Sequence, residues 1–139
     1  MLRTILKTNT RAMSSGRVKT SIVSVGIAPH HHAVPDELRD KLRTSLKEAV
    51  VKMDEAGYDF VSLAIDPDDK GKALKTVVDT LMQKHRNAVI IGGGIRKMPQ
   101  MIPILEDIIN TTKDVSPKTQ ILFAEWPTGV LDSIKRLKE

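Results

Sequence analysis

The sequence contains no cysteine. That absence excludes disulfides, thiolate nucleophiles and cysteine-based zinc sites together, and it suits a reducing compartment. Aromatic residues are almost missing, at 3%, so a core must be built from Val, Ile, Leu, Met and Ala. The shortage also removes the stacking platforms on which single-stranded nucleic acids are bound. No apolar run approaches the roughly 18 residues that a transmembrane helix needs.

Negative charge is missing from one part of the chain. No Asp or Glu precedes Asp36, whereas Arg3, Lys7, Arg11, Arg17 and Lys19 do. Setting those five aside, the net charge of +5 vanishes, leaving 17 basic residues against 17 acidic ones. Nucleic-acid binding rests on neutralising many phosphates. A formally neutral body argues against it, and neither nucleic acid nor membrane is an expected partner.

What is present is a 139-residue chain with 40% hydrophobic residues, enough for one domain with a single sizeable core. Its opening stretch, MLRTILKTNTRAMSSGRVK, is basic, rich in hydroxyls and free of acids. Arg3, Lys7 and Arg11 recur every four residues, with Leu2, Ile5 and Leu6 on another face of the same helix. This is the pattern of a mitochondrial transit peptide, and Arg11-Ala12-Met13 before Ser14-Ser15 resembles a processing site. The expectation is import into the mitochondrial matrix; a loose tail on a cytoplasmic protein is the alternative. Residues 1–17 are therefore read as an extension and 18–139 as one α/β domain.

From Val18 the pattern repeats four times. VKTSIVSVGIA is a β-branched run, followed by PDELRDKLRTSLKEAVVKMDEAG with Leu38, Leu42, Leu46, Ala49, Val50 and Met53 at helical spacing. Pro35, Asp36 and Glu37 suit the first turn, and Gly57 suits the C-terminal cap. FVSLAID is a second strand. Its helix, Asp69 to Arg86, places Leu74, Val77, Val78, Leu81, Met82 and His85 on one stripe. NAVIIGG is the third strand and the most continuously apolar. Because Pro103 lacks a backbone donor, a short turn over Pro99–Ile102 should precede the regular helix carrying Met101, Ile102, Leu105, Ile108 and Ile109. TQILFAE is the fourth strand, and a last helix from Thr128 holds Val130, Leu131, Ile134 and Leu137.

Alternating strands and helices of these lengths predict a three-layer α/β domain, Rossmann-like or flavodoxin-like, with a four-stranded parallel sheet. The order 2-1-3-4 places the two most apolar strands centrally and keeps each crossover right-handed. Strands 1 and 3 are then neighbours whose connections leave to opposite faces, and ligands bind at the carboxyl ends beside such a switch point.

Two loops should meet there: Ala28-Pro29-His30-His31-His32, and Gly92-Gly93-Gly94-Ile95-Arg96-Lys97. The glycines permit positive φ and close approach of a ligand to the backbone. With Arg96 they can hold a phosphate or carboxylate at a helix start, or form only a tight strand-to-helix turn. They fit neither the dinucleotide fingerprint nor a Walker loop. In an extended loop His30 and His32 share a side, as general acid/base candidates or, with Asp66 or Glu125, as ligands of a hydrolytic metal; solvated, idle histidines are the plainer reading. Asp66 belongs to an Asp-Pro-Asp-Asp run that can bind a ribose or cap a helix. Glu125 and Trp126 should flank the crevice.

The stretch NAVIIGGGIRKMPQMIPILEDIINTTKDVSPKTQILFAEWPTGVLDSIKRL resembles a widespread group of small, uncharacterised α/β proteins of bacteria and fungi. Those read as an apolar strand, G-[AG]-G-[IV]-R, a proline, a Leu/Val-rich helix and a further strand. The likeness covers roughly residues 59–137 and is best at Gly92–Arg96; Ala124-Glu125-Trp126-Pro127-Thr128-Gly129 departs from the group's Asn-containing loop. It implies the fold and brings no reaction. The expected protein binds an anionic small molecule, a nucleotide or phosphorylated metabolite, at the strand 1/strand 3 crevice. Ligand contacts are assigned to Gly92, Gly93, Gly94, Arg96, Asp66, Glu125 and Trp126, with tentative proton transfer by His30 or His32. A homodimeric or regulatory module pairing through an edge strand and a metal-assisted hydrolase are the alternatives.

Overall fold

A computed structural model describes residues 18–138, so the basic extension, and with it the expectation of a transit peptide, lies outside the described residues. Four strands form one all-parallel sheet in the order β2-β1-β3-β4: β1 (Ser21–Ile27), β2 (Asp59–Ile65), β3 (Ala88–Gly92) and β4 (Gln120–Ala124). The helices are α1 (Asp36–Glu55), α2 (Lys70–Gln83), a single turn α3 (Gly93–Arg96), α4 (Ile102–Val115) and a short α5 (Val130–Ser133). The predicted strand order and central pair are both observed. None of the described helices is long and apolar enough to cross a membrane.

Side chains alternate across a strand, and the two faces build two cores. Val23, Val25 and Ile27 of β1 and Val89 and Ile91 of β3 pack with Val77 of α2 and Ile104 and Ile108 of α4. Ile22, Ala88, Ile90 and Leu122 face the other way, toward Met53 of α1 and Val130 and Ile134 near the C-terminus. Sinking each such side chain contributes about 1.5–3 kcal/mol, which is why the two central strands read as continuous apolar runs.

Several elements differ from their sequence pattern. α1 turns Ser45, Ala49 and Met53 fully inward, leaving Leu42 and Leu46 half-covered and Leu38 and Val50 exposed. α2 stops at Gln83 rather than Arg86, because Lys84 is extended and Arg86 folds back beneath the helix. Met82 and His85 are consequently exposed. Pro99–Met101 forms a tight 3-10 turn and α4 begins at Ile102, although Ile102 itself faces solvent. The final helix is broken into 3-10 turns on either side of α5, and Thr128 makes no cap. There Ser133 donates to the carbonyl of Val130 at 2.6 Å, a bond across three residues that favours the tighter winding.

The amino ends of the strands are tied by a polar clamp. Arg86, 2% exposed, donates to the carbonyl of Thr80, the hydroxyl of Ser21 and the amide oxygen of Gln83. Ser21 donates onward to Asp59, which also takes Lys84 at 2.6 Å. Asn87 accepts from the amide of Ser21, and Thr119 donates to the carbonyl of Arg86, so all four strand starts are joined. The Lys84 bond, with those of Ser21 and the nearby Arg86 charge, holds the Asp59 carboxyl below the usual carboxylate range against a weaker upward push from burial.

A depressed carboxylate contributes stability that is present at neutral pH and is lost as pH falls through its folded value. Asp59→Asn should therefore be less stable than wild type at pH 7 and lose less stability between pH 5 and 3. Urea midpoints across that range check this; parallel curves for the two proteins would remove Asp59 from the acid response.

Candidate functional site

The carboxyl ends of the strands carry two concavities, which share only Ala33 among their lining residues. Of the predicted residues, Gly92, Gly93, Gly94, Glu125 and Trp126 line the first and His32 the second, while His30, Asp66 and Arg96 line neither.

The first lies between α1 and the sheet and encloses about 410 Å³. Its origin is a gradient of side-chain size. On the sheet face under α1 the first rung carries the bulky Ile22 and Phe60, the middle rung Ser62 and Ser24 beside Ile90 and Leu122, and the last rung only Gly26, Gly92 and Ala124 with Ala64. α1 rests on the bulky end through Met53 and stands clear of the small residues, so Leu38, Leu42 and Leu46 roof an empty wedge. Trp126 closes one side. Its indole N–H donates to Ser45 of α1 at 2.7 Å, and Lys41 lies over its ring. Trp126 is a brace between the β4 loop and α1.

The glycines prove to be three different cases. None has positive φ; among the described residues only Gly57 does, at the end of α1. A Cβ on Gly93 would lie 2.7 Å from the carbonyl oxygen of Glu125, and one on Gly94 would lie 2.7 Å from Ile27 Cγ2. Those spaces are filled by protein, which corrects the expectation of a positive-φ turn: close packing of α3 against β1 and the β4 loop demands the glycines. Gly92 has only ordinary contacts, and Gly26, missed in the sequence because it looked like mid-strand filler, faces open space in the cavity.

Arg96 does not line the cavity. Its guanidinium donates to Glu125 at 2.9 Å and stacks over Phe123, and its buried Nε has no partner among the described residues. Lys97 does line it and also pairs with Glu125. The Lys97 and Arg96 bonds hold the Glu125 carboxyl below its usual range. Glu125 thus fixes the two cations of the loop; Lys97 and Glu125 meet as an ion pair at the cavity mouth, with the Arg96 charge beside it and outside the lining.

The second concavity holds the histidines. The triplet is folded into two successive turns, with His31 N–H bonded to Ala28 and Val34 N–H to His31. The extended-loop expectation that pairs His30 with His32 fails for that reason. His30 is exposed and lines neither cavity, whereas His31 is 5% exposed and His31 and His32 both reach Asp68, at 3.0 and 2.8 Å. The His32 bond keeps the Asp68 carboxyl below the usual range, opposed by desolvation and aided by the His31 bond. Asp66 accepts from the amide of Asp68 at 2.9 Å, lies 3.7 Å from His31 and lines neither cavity; Asp69 caps α2 by accepting from Lys72.

The ring nitrogens of His31 and His32 and a carboxylate oxygen of Asp68 lie within 4.8 Å of one another, close enough to suggest a cation site. The far side of His31 argues otherwise. Its Nδ1 accepts a hydrogen bond from the amide of Ala33 at 3.1 Å, so the ring hydrogen sits on Nε2, the atom a metal would need bare. A ligating histidine normally donates from its second nitrogen; this one accepts there. The cluster is a latch joining the β1–α1 and β2–α2 loops.

Comparison with family models, with curated proteins and with solved structures finds no match to this chain.

Two expectations follow. Gly93→Ala should cost about 1–3 kcal/mol, the usual cost of overpacking, whereas Gly26→Ala should gain up to about 1 kcal/mol by stiffening a strand. Denaturant titration decides, and equal effects would sink the distinction. Excess zinc should leave the melting temperature of the wild type unchanged, while Asp68→Ala lowers it. A zinc-dependent rise of several degrees that disappears in His31→Ala would replace the latch with a metal site.

Proposed function

We propose that this protein binds a small anion with an apolar body, such as a nucleotide or an aryl or alkyl acid, in the wedge beneath α1 at the β1/β3 switch point. The observation that supports this reading is the cavity itself. Its volume of about 410 Å³ lies within the range of small-molecule sites, roughly 300–1,000 Å³, which are largely apolar with a few convergent polar groups. Leu38, Leu42, Leu46 and Val130 supply apolar walls, Gly26 and Gly92 a flat floor, and Lys97, which a ligand anion would share with Glu125, a cation at the mouth. A ligand's body gains burial at about 25 cal/mol per Å², and its charge meets the Lys97 ammonium. Arg96 supports the loop through Glu125 rather than touching the ligand.

Gly26→Leu is the deciding variant. A Cβ there meets nothing within 4 Å and the position lines the cavity, so the new side chain is expected to enter that space, and an unchanged far-UV spectrum and an undiminished melting temperature check that the fold is kept. Nucleoside monophosphates, naphthoates and sugar phosphates would be screened by melting temperature and by the fluorescence of Trp126, the single tryptophan. A ligand at 100 times its dissociation constant adds about 2.7 kcal/mol, several degrees for a domain of this size. The expected outcome is a shift with the first two classes, little with the fully polar sugar phosphates, and none in Gly26→Leu. A shift that survives Gly26→Leu would place the ligand elsewhere, and no shift with any class would end the proposal.

A further inference from the structure

The cavity's inner end holds two hydroxyls whose bonding is incomplete, and these define the ligand more closely. Ser24 and Ser62 are register partners on β1 and β2, on the sheet face that α1 covers. At such positions an apolar side chain is the ordinary choice, as at Ile22 and Ile90 on the same face. Both serines line the cavity, with Ala49 and Leu46 above them. Ser24 donates to Ser62 at 3.3 Å, a long bond, and among the described residues the hydroxyl hydrogen of Ser62 finds no acceptor. A hydroxyl has one donor and two acceptor positions. The pair, half-buried on the floor of an apolar wedge, therefore leaves one donor without a protein partner, which a ligand acceptor can take.

The mouth has the opposite character, with Lys97 and the Gly93–Gly94 turn. Ser24 stands level with Ile90, three residues before Gly93. At about 3.3 Å per strand residue this separates the hydroxyl pair from the mouth by roughly 10 Å. We infer that the ligand is polar at both ends: an anionic group outside, an apolar and preferably planar middle, and a hydrogen-bond acceptor at the inner end that takes the Ser62 hydrogen. Carbonyl oxygens and unprotonated ring nitrogens qualify; simple alkyl acids do not. This rests on the cavity reading above and goes further by naming Ser62 as a specificity-determining residue.

The test uses two rigid probes of equal shape, 6-acetyl-2-naphthoate and 6-isopropenyl-2-naphthoate, which differ by a carbonyl oxygen in place of a methylene. Each is titrated by calorimetry into the wild type, Ser62→Ala and Gly26→Leu. The acetyl probe should bind the wild type about fivefold more tightly, the worth of one ordinary hydrogen bond. In Ser62→Ala the two probes should bind alike, and Gly26→Leu should bind neither. Equal affinities in the wild type, or a preference that persists in Ser62→Ala, would overturn the assignment of Ser62 while leaving the cavity as a binding site. Binding unaffected by Gly26→Leu, or no binding of either probe, would remove the cavity reading and this inference with it.

Discussion

The seating of α1 on the sheet governs the rest of the carboxyl end. Met53 is buried in one cluster with Ile22 and Ala88 at the strand starts, and a 20-residue helix is a rigid lever once one end is set. If the sheet face kept its bulk along its length, Leu38, Leu42 and Leu46 would interdigitate with it and no space would remain. Instead Ser24, Gly26, Ser62 and Gly92 withdraw the floor. The roof cannot follow, because Trp126 props α1 from the β4 loop through Ser45. The cavity is thus a consequence of two fixed supports and a receding floor.

The two ends of the sheet divide their tasks. At the amino end the buried guanidinium of Arg86 is bonded to a carbonyl, a hydroxyl and a side-chain amide, and Asp59 lies 3.7 Å away. A buried cation is costly unless its donors are satisfied, and here they are. At the carboxyl end the polar groups are paired less completely: among the described residues Arg96 Nε has no partner and the Ser62 hydrogen no acceptor, and Lys97 is held by one exposed carboxylate. In an α/β sheet this is the end at which ligands are expected on topological grounds.

Strand order and layer arrangement were legible because they follow from hydrophobic pattern alone. The run at β3 is apolar on both faces, and β1 is fully apolar on one face with Ile22 on the other, a degree of burial that central strands require. Site geometry was less legible, for reasons that differ by residue. The leucines of α1 have the spacing of a core stripe, and nothing in a helical pattern tells a filled core from the roof of a cavity. That information sits in β1 and β2, as serines and a glycine where Val or Ile would be ordinary, so reading it requires the strand register. The histidine triplet was misjudged because alternation belongs to extended chain, whereas Pro29 and two successive turns fold the loop. Among the glycines, Gly93 and Gly94 drew attention for conformational freedom they do not use. Gly26 drew none, although it faces the open space.

Gly26 also bears on whether the wedge is a site or a packing defect. Glycine within a strand costs roughly 0.5–1 kcal/mol relative to alanine, and the adjoining void forgoes dispersion contacts that any apolar side chain would make. A methyl group at position 26 would recover the first without a clash, since a Cβ there meets nothing within 4 Å, and a longer apolar side chain would begin to recover the second. In the neighbouring loop Gly93 and Gly94 cannot accept even a methyl group unless their surroundings shift. Open space at Gly26, bordered by leucines, a hydroxyl and a paired cation, is stability left unused locally. Local departures from good packing are expected where a protein must admit something other than itself.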